Sequence, residues 1–449
     1  MAASTFKVIV VGGGPVGLVA AHALTKAGID FTLLERRPHV VIDAGSNLVL
    51  TPVGIPALGQ LNLRAPLDAV SSPLGRIDRM DHEGNDLGDV QLFSMMKELI
   101  GIAPRVISRH DLTRVLYDTL PSEAQKKIFG NKKLSDITST PTGVIATCAD
   151  GTSYEGSLVV GTDGAHSLVR DIMRKLALQN GPSEQVNAEH PFLTTYRCLW
   201  LRFQRPANVP EGVTCETHGP GLATQLFTGE DSAVAAIYET MEKPTTERPR
   251  YTRADQDALI ERWGHIPIIA GEGKLTLREA YNSRQESGLV SLEEGVAEHW
   301  SWNGRVVLAG DSAHKFTPST GAGCNHGILD IAALVQQLNA ICSKAPNASP
   351  SREAIDSALQ AYQEKRRNTI VAECDRSSKA TAAATWQNGV FKFVDKYVMP
   401  RNAVTRFFIG QAAKGAARNP SPNFNFGSSE VQLGKKEAWT ASPVMVRAH

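Results

Sequence analysis

The chain has 449 residues, of which 42% are hydrophobic and 21% are charged, and its formal net charge is +1. This size and composition are typical of a globular protein of two or three domains, and the small net charge argues against a nucleic-acid partner. The six cysteines lack C-x-x-C and zinc-ligand spacing, so we expect free thiols in a reducing compartment and no metal site. Because the first predicted strand begins near Phe6 and no long apolar run occurs, we expect an intracellular, cytoplasmic protein without a signal peptide or membrane span.

The first element is a buried strand followed by a glycine-rich turn. Residues 8–11 are an unbroken β-branched run, and Gly12, Gly14 and Gly17 then supply G-x-G-x-x-G at the start of a predicted helix. Backbone without Cβ can approach a pyrophosphate closely, and the helix N-terminus favours its charge. A second predicted strand ends at Glu35, whose carboxylate can accept hydrogen bonds from a ribose diol. This order predicts a dinucleotide site; the alternative is a glycine-rich turn in another kind of α/β domain.

The next hundred residues contain one further candidate contact. A loop at 44–50 leads into a strand, and a short helix is predicted around 53–60. The segment ISRHDLTRVLYDTL (107–120) predicts a helix with one apolar face. Arg109 lies at its start and is a candidate for phosphate or ribose contact, although the segment taken alone would make it a surface residue.

Two more glycine-rich turns follow short buried strands. A predicted hairpin at 144–154 is followed by a strand at 158–160, which enters the turn that begins GTDG at Gly161. The strand at 305–308 enters AGDSAH, and the chain then continues through Gly321 and Gly323 into an amphipathic helix. Three such strand-to-helix turns in one chain indicate a large, phosphate-bearing cofactor.

The middle and the end of the chain have different patterns. Residues 188–300 alternate in polarity, contain many prolines and lack a glycine-rich loop, which predicts a mainly antiparallel sheet that forms a substrate wall. Beyond it, helices are predicted on both sides of Pro400, with six cations against one acid between 392 and 418. These helices either pack on the catalytic domain with a solvated basic face or contact a membrane in its plane near a lipophilic substrate. From 417 onward we predict a loop or a disordered tail.

The three motifs resemble those of the class A flavoprotein monooxygenases, the p-hydroxybenzoate hydroxylase-like group. The resemblance rests on GGGPVG with Glu35, on GTDGAHSLVR (161–170) and on GDSAHKFTPSTGAGCNHGILD (310–330), in the family's order. The sequence EEGVAEHWSWNGRVVLAGD before DSAHK is most similar to the fungal branch that epoxidises or hydroxylates terpenoid, indole-alkaloid and polyketide intermediates. The resemblance covers about residues 5–400 and leaves out the tail.

The resemblance implies an α/β fold in which a Rossmann-like FAD-binding domain of the GR2 type is interleaved with a mainly antiparallel β-sheet substrate domain, followed by C-terminal helices. The expected boundaries are 1–185 for the first part of the FAD-binding domain with some substrate-domain strands, 186–300 for the substrate-domain sheet, 301–375 for the second part of the FAD-binding domain, 376–418 for the C-terminal helices and 419–449 for the tail.

The resemblance also implies which residues contact FAD. Gly12, Gly14 and Gly17 would surround the pyrophosphate, and Glu35 would hold the adenosine ribose. Further contacts are implied for Val49 through its backbone, for Arg109, for Asp311 on the ribityl and pyrophosphate side, for Gly321, Gly323 and Cys324 along the isoalloxazine ring, and for Asp163 and Gly164, a motif linked to both FAD and the nicotinamide cofactor.

Three residues are implied on the reacting side. His314 and Pro318 would lie on the reactive side of the flavin, and Arg197 falls where related fungal enzymes place a substrate-facing arginine. The alternative for Arg197 is a surface charge at a strand edge. The chain departs from the family pattern at Ala322, where glutamine is frequent, and at Leu329, where glutamate is frequent. Neither change removes a backbone donor, so FAD binding should survive.

The implied activity is that of an NAD(P)H-dependent monooxygenase. NADPH or NADH would reduce FAD, and the C4a-hydroperoxide formed with O2 would oxygenate a small, polycyclic, largely apolar secondary metabolite. The alternatives are a phenol or salicylate-type aromatic hydroxylase, a flavin reductase or oxidase that does not oxygenate, and a non-catalytic binding protein like the prenyl-protein escort proteins. The sequence leaves the exact substrate, the choice of NADPH or NADH and the oligomeric state open.

Overall fold

The computed structural model describes residues 6–42, 47–75, 77–180, 186–207, 209–269, 275–345, 349–418 and Phe424. Most of the predicted tail therefore lies outside the described residues, as does the start of the predicted loop at 44–50. The last described helix includes positions 417 and 418, which lie within the expected boundary 376–418 of the C-terminal helices although composition alone placed the tail from 417 onward.

The described strands form two main sheets and three small ones. In chain order they are β1 (Lys7–Val11), β2 (Asp30–Leu34), β3 (Asn47–Leu50), β4 (Ser72–Pro73), β5 (Ile77–Asp81), β6 (Arg105–Ser108), β7 (Ile128–Phe129), β8 (Leu134–Ser139), β9 (Val144–Cys148), β10 (Ser153–Gly156), β11 (Leu158–Gly161), β12 (Leu193–Gln204), β13 (Thr214–Gly219), β14 (Leu222–Thr228), β15 (Ser232–Thr245), β16 (Pro267–Ile269), β17 (Leu275–Thr276), β18 (Glu286–Val296), β19 (Ser301–Trp302), β20 (Val306–Leu308) and β21 (His314–Lys315).

The described helices flank these sheets, and the last of them ends at Arg418. They are α1 (Pro15–Ala27), α2 (Ile55–Gln60), α3 (Arg64–Asp68), α4 (Leu92–Ile100), α5 (Arg109–Asp118), α6 (Ser122–Gln125), α7 (Leu168–Asn180), α8 (Arg253–Trp263), α9 (Leu277–Asn282), α10 (Ala322–Cys342), α11 (Arg352–Ala384), α12 (Gly389–Phe393) and α13 (Asn402–Arg418), with a π-helical turn at Val394–Val398 between the last two. Among the described residues, no helix combines the length and the apolarity that crossing a bilayer requires.

The first main sheet has the order β19–β20–β11–β1–β2–β7, and only β19 runs antiparallel to its neighbour. Its central strand β1 is almost inaccessible to solvent because β-branched side chains fill both of its faces. Val11, Gly161 and Leu308 are neighbours in register at the carboxyl ends of β1, β11 and β20. The three glycine-rich turns predicted from the sequence therefore meet at one edge of the sheet, where ligands bind in open α/β folds.

The second main sheet has the order β21–β18–β12–β15–β14–β13–β5 and is antiparallel except for the pair β13–β5. This confirms the antiparallel sheet predicted for the middle of the chain. On its outer face, leucines and isoleucines of β12, β14 and β15 pack against α8 and α9. On its inner face, Gln225 bonds to Ser319 and the Tyr196 hydroxyl bonds to Thr385, so this face is turned toward the third glycine-rich turn and α11.

Candidate active site

The first glycine turn is built so that only glycine fits at two positions. Gly12 has φ +108°, and a Cβ there would lie 2.6 Å from the carbonyl oxygen of Thr162. A Cβ on Gly17 would lie 1.9 Å from the carbonyl oxygen of Gly12. The Thr162 hydroxyl donates to the carbonyls of Val11 and Gly12 over 2.9 and 3.0 Å. The first two sequence motifs are therefore parts of a single cradle.

Glu35 lies at the end of β2 directly beside this cradle. Its carboxylate is 8% exposed and accepts hydrogen bonds from the backbone of Gly13 at 2.7 Å and of Arg37 at 3.0 Å. A Cβ on Gly13 would lie 2.5 Å from a methyl carbon of Val40. Sequence reasoning placed Glu35 but missed Gly13, although the triple glycine GGG was visible and carried that signal.

The N-terminus of α1 opens into the cleft. Its cap residue Gly14 provides no side-chain hydrogen bond, which leaves the first amide N–H groups of the helix free for a ligand. The guanidinium of Arg109, at the start of α5 as predicted, lies 3.7 Å from the position that a Cβ on Gly14 would take. A helix N-terminus next to a guanidinium suits a phosphate group.

The third turn contributes an ion pair between Asp311 and Lys315. The Lys315 ammonium lies 3.0 Å from a carboxylate oxygen of Asp311, whose side chain is 39% exposed in the cleft. Burial opposes ionisation of Asp311, but the neighbouring ammonium outweighs it and holds the pKa of Asp311 below its usual value. The Asp311 charge in turn raises the pKa of Lys315. Sequence reasoning gave Lys315 no role; alternation along β21 would have placed it on the opposite side from His314.

The start of α10 is fixed by an asparagine that sequence reasoning also missed. The Asn325 amide donates to the carbonyls of Val49 and Gly321 at 2.7 and 2.8 Å, and its oxygen accepts from the Thr51 backbone at 2.9 Å. Gly321 has φ +64°, and a Cβ there would lie 3.3 Å from Val49. Asn325 thus holds Val49 against the turn where the resemblance implies the flavin ring.

Three other predicted residues of this turn, Pro318, Gly323 and Cys324, differ in their surroundings. Gly323 lies close to Asp311, since a Cβ on this glycine would be 3.6 Å from its carboxylate. Burial raises the pKa of the Cys324 thiol to about 12, so the side chain is neutral and poorly nucleophilic. Pro318 begins the short turn Pro318–Thr320 and is exposed, as a residue that faces the cleft would be.

Asp163 performs a structural task within the predicted motif. Its carboxylate accepts from the Ser167 hydroxyl at 2.5 Å and from the Val169 backbone at 3.1 Å, so it fixes the start of α7. Burial raises the pKa of Asp163. Gly164, at φ +89°, has open space where a Cβ would stand. The motif contacts the cradle through the backbone of Thr162 and Asp163. The carboxylate of Asp163 accepts the two hydrogen bonds from Ser167 and Val169 instead.

The side chain of His314 points into the core, whereas the resemblance implied a place on the reactive side of the flavin. Its side chain is fully buried, packs on Trp300 and Phe316, and lies 2.5 Å from the Asp330 carboxylate through Nε2. The physical reason is the alternation of side chains in β21, which turns His314 into the core and Lys315 into the cleft. A direct catalytic role for His314 has no support in this geometry.

Arg197 also lies away from the cleft. It pairs with Glu239 at 2.5 Å and faces the ring of Tyr251 on the outer face of the second sheet. Glu239 also accepts hydrogen bonds from Arg262 and Trp263 of α8. The alternative of a strand-edge charge is wrong too, because β12 lies between β15 and β18. Side chains one residue to either side, not Arg197, face the cofactor side of the sheet.

A buried charged network on the inner face was not predicted at all. Arg79 of β5, Glu216 and His218 of β13, and Asp395 of the π-helical turn contact one another; we call these four residues the charge network. All four side chains are at most 12% exposed. No local pattern predicts it, since Arg79 and Asp395 are 316 positions apart and both lie far in the chain from Glu216 and His218.

The groups that suit a dinucleotide lie on neighbouring elements. The cradle lies beside Glu35 and the start of α1, Arg109 lies near Gly14, and Lys315 pairs with Asp311 near Gly323. Among the described residues, no group of three His, Cys, Asp or Glu side chains is placed to hold a metal ion.

Comparison with known proteins agrees with this assignment. A family model described as "FAD binding domain" matches residues 5–377. The chain belongs to this FAD-binding-domain family. The match extends over all three glycine turns and across the second sheet, which confirms the expected α/β fold and the flavoprotein monooxygenase resemblance.

Curated relatives of this FAD-binding-domain protein come from fungi. It is 32% identical to the FAD-dependent monooxygenase verC1 of Penicillium polonicum over 394 residues, which are 87% of this chain and 48% of that protein. The chain thus spans about half the length of that relative. It is also 30% identical to the FAD-dependent monooxygenase spyC of Aspergillus fumigatus over 420 residues, covering 92% of this chain and 85% of that one.

The fold is also similar to that of solved structures. HpxO from Klebsiella pneumoniae, solved as a complex with FAD and uric acid, superposes with a TM-score of 0.69 at 18% identity. The alignment covers 90% of this chain and 96% of HpxO. This likeness extends over the FAD-binding part and the second sheet alike.

Proposed function

We propose that this chain is a FAD-dependent monooxygenase that uses NADPH or NADH and O2 to epoxidise or hydroxylate a polycyclic, largely apolar secondary metabolite. The observation that carries the proposal is a dinucleotide cradle at the end of the first sheet, beside a second sheet whose inner face bonds to the third glycine-rich turn. The fungal relatives named as FAD-dependent monooxygenases support it. When bound, FAD supplies the redox chemistry toward dioxygen.

The chain's own residues would divide the work of holding this cofactor. Gly12, Gly14 and Gly17 with the α1 N-terminus suit the pyrophosphate, and Glu35 suits the ribose. Residues 321–324 at the start of α10 would lie along the ring, where amide N–H groups stabilise negative charge. These assignments are proposals that rest on the fit of the cleft.

An apolar cluster supports a lipophilic substrate. Leu74, Ile77, Phe93 and Val106 form a buried group that Val49 and Phe227 join. Val49 touches Gly321, and Phe227 lies on the inner face of the second sheet, so the cluster borders the expected ring position. Such a wall excludes water and favours an apolar scaffold over a small charged ring.

Turnover with labelled oxygen tests the proposal. Purified protein should be yellow with bound FAD. It should consume NADPH or NADH faster with an indole, terpenoid or polyketide substrate, and the product should contain one oxygen atom from ¹⁸O₂. Coupling with phenols alone would favour an aromatic hydroxylase instead. Oxidation of the nicotinamide without label in any product would favour a reductase or oxidase, and colourless protein that takes up no FAD would favour a non-catalytic binding protein.

We also propose that the C-terminal helices contact the surface of a bilayer that contains anionic lipids. Val390, Phe393, Tyr397, Phe407 and Phe408 are 58–72% exposed, and they account for much of the exposed apolar surface among the described residues. Exposed Lys392 and Arg401 lie in the same segment, whose acid Asp395 is buried. Aromatic side chains with cations beside them suit a lipid interface.

The position of these helices connects that surface to the substrate side. Ile409 of α13 packs on Met95 and Ile100 of α4. Helix α4 also supplies Phe93 to the apolar cluster beside Val49. An apolar substrate dissolved in the bilayer would therefore meet the protein close to the apolar wall.

Vesicle flotation measures this contact. The full chain should float with vesicles of phosphatidylcholine and phosphatidylserine and much less with phosphatidylcholine alone, because the attraction includes an electrostatic part. The double change Phe407→Ser and Phe408→Ser should release most of the bound protein. Phe129→Ser is the matched control, since Phe129 is an exposed aromatic residue far from these helices in the chain. Equal flotation of all three proteins would contradict the proposal.

A further inference from the structure

The charge network continues into the third glycine turn through one glutamine. Arg79, Glu216 and Gln225 are neighbours in register on β5, β13 and β14. Gln225 Nε2 donates to a Glu216 carboxylate oxygen at 2.7 Å and to the Ser319 carbonyl at 3.2 Å. Its oxygen accepts from the Tyr238 hydroxyl at 2.7 Å. Because both donor contacts end on acceptors, the amide has only one satisfactory orientation.

Ser319 belongs to the turn that stands next to the expected ring position. The Ser319 hydroxyl contacts the Thr381 hydroxyl at 2.6 Å, and Thr381 donates to the Thr317 hydroxyl at 2.9 Å. Thr320 contacts Ser377, also on α11. Side-chain hydroxyls of α11 therefore hold one side of the turn, and Gln225 holds its backbone from the sheet.

At its other end the charge network holds residues 386–398, which we call the C-terminal segment. The Asp395 carboxylate lies 3.0 Å from Nδ1 of His218 and contacts the Arg79 guanidinium, which also donates to the Asp395 carbonyl at 3.1 Å. The Trp386 indole donates to the same carboxylate at 2.8 Å. His218 Nε2 lies 3.2 Å from Glu216, so one imidazole bridges two carboxylates.

We propose that Gln225 is a positioning residue of the reaction, and that Glu216, His218 and Asp395 set its orientation and so couple the turn Pro318–Thr320 to the C-terminal segment. The segment would then seal the cofactor cleft only while the charge network is intact. The role of Gln225 in the reaction rests on the proposed function. The coupling between the charge network and the turn Pro318–Thr320 concerns only the chain and its bound FAD.

When His218 is protonated, the positive charges of Arg79 and His218 neutralise the negative charges of the carboxylates of Glu216 and Asp395. Burial by itself lowers the pKa of His218, but hydrogen bonds to Asp395 and Glu216 and their charges outweigh it, so the net shift is upward. The other ionisable groups that face His218 are Arg79, Asp81 opposite it on β5, and Lys396, which lies 3.7 Å from Asp81. A raised pKa means that the stabilisation is complete below about pH 6.5 and is lost as the pH rises through the folded value.

Iodide quenching of bound FAD across a pH series tests the coupling. In the wild-type holoenzyme, quenching should be low near pH 6 and should rise severalfold as the pH passes through the raised pKa of His218. Asp395→Asn and Gln225→Leu should both show high quenching already near pH 6, without this rise. Tyr196→Phe is the matched control, because its hydroxyl bonds to Thr385 at the same sheet–helix interface but lies outside the network.

The outcomes separate this inference from the proposed function. With a substrate that is oxygenated, both variants should release severalfold more hydrogen peroxide per NAD(P)H while the control stays at the wild-type value. If no substrate is oxygenated, the quenching series still decides the inference. A wild-type curve that does not rise with pH, or variants with the wild-type curve, would overturn it. A change in thermal stability alone, with unchanged quenching, would also overturn it.

Discussion

Replacing Gly17 by alanine is expected to weaken FAD binding by about 100-fold, so that the purified protein loses its cofactor. The new methyl group would stand 1.9 Å from the Gly12 carbonyl oxygen and 2.9 Å from the Thr162 hydroxyl. Relief requires α1 to move away from the turn, which displaces the free amide groups that face the pyrophosphate. Returning α1 to its place when FAD binds would restore the strain that the shift had relieved, about 3 kcal/mol, and each 1.4 kcal/mol is about tenfold in affinity.

Titration of the apoprotein with FAD, followed by flavin fluorescence, measures this loss. Gly410→Ala is the matched control, because Gly410 lies inside α13 with nothing within 4 Å of a Cβ. Alanine at that helix position should leave FAD affinity unchanged and add a few tenths of a kcal/mol to stability. Far-ultraviolet circular dichroism confirms that both variants fold. Wild-type affinity in Gly17→Ala would show that the cradle does not hold the cofactor.

Replacing Asp330 by alanine is expected to lower the free energy of unfolding by about 3–5 kcal/mol. Asp330 is fully buried and accepts hydrogen bonds from Gly310 at 3.0 Å and from Arg366 at 2.8 Å, in addition to its contact with His314. Arg366 is 1% exposed, so the substitution would leave a guanidinium without its carboxylate inside the protein. This acid joins α10, α11 and the turn after β20.

Urea unfolding measures the effect, with Asp375→Ala as the control on α11. Asp375 pairs with Lys379 at 2.6 Å, but both side chains are more than half exposed, so its loss should cost less than about 1 kcal/mol. Burial opposes ionisation of Asp330, yet His314 and Arg366 outweigh it and hold the pKa of Asp330 below its usual value. The wild-type advantage over Asp330→Ala should therefore persist at neutral pH and shrink as the pH falls below about 4. Equal costs for the two substitutions would contradict this role.

Local patterns predicted the α/β fold and the binding of FAD correctly. The β-branched run before Gly12, the glycine spacing and the acid at Glu35 each reflect a conformational requirement of the backbone, and such requirements are readable from neighbouring residues. The position of Arg109 was also readable from local sequence, because it lies at the start of a helix whose apolar residues recur at helical spacing. The resemblance also assigned Asp311 and Gly321 to the flavin. The structure places Asp311 beside Lys315 and Gly323, and places Gly321 beside Val49; their contacts with the flavin stay predictions.

The direction of side chains was where prediction failed. His314 and Arg197 were named from their positions in motifs, but their side chains point away from the cleft, to Asp330 and to Glu239. In a strand, a shift of one residue moves a side chain to the opposite face, and a motif does not record which face is buried. Lys315, beside His314, is the side chain that reaches the cleft.

The sequence by itself determined that the chain forms a dinucleotide cleft, because glycine placement and strand hydrophobicity act over a few residues. Only the tertiary structure decided what surrounds the cleft. Arg79, His218 and Asp395 meet across more than 300 positions of the chain, and Gln225 joins them to Ser319 through the pairing of β13 and β14. Contacts of that kind depend on sheet order and on where the C-terminal segment packs, and neither leaves a local pattern in the amino-acid sequence.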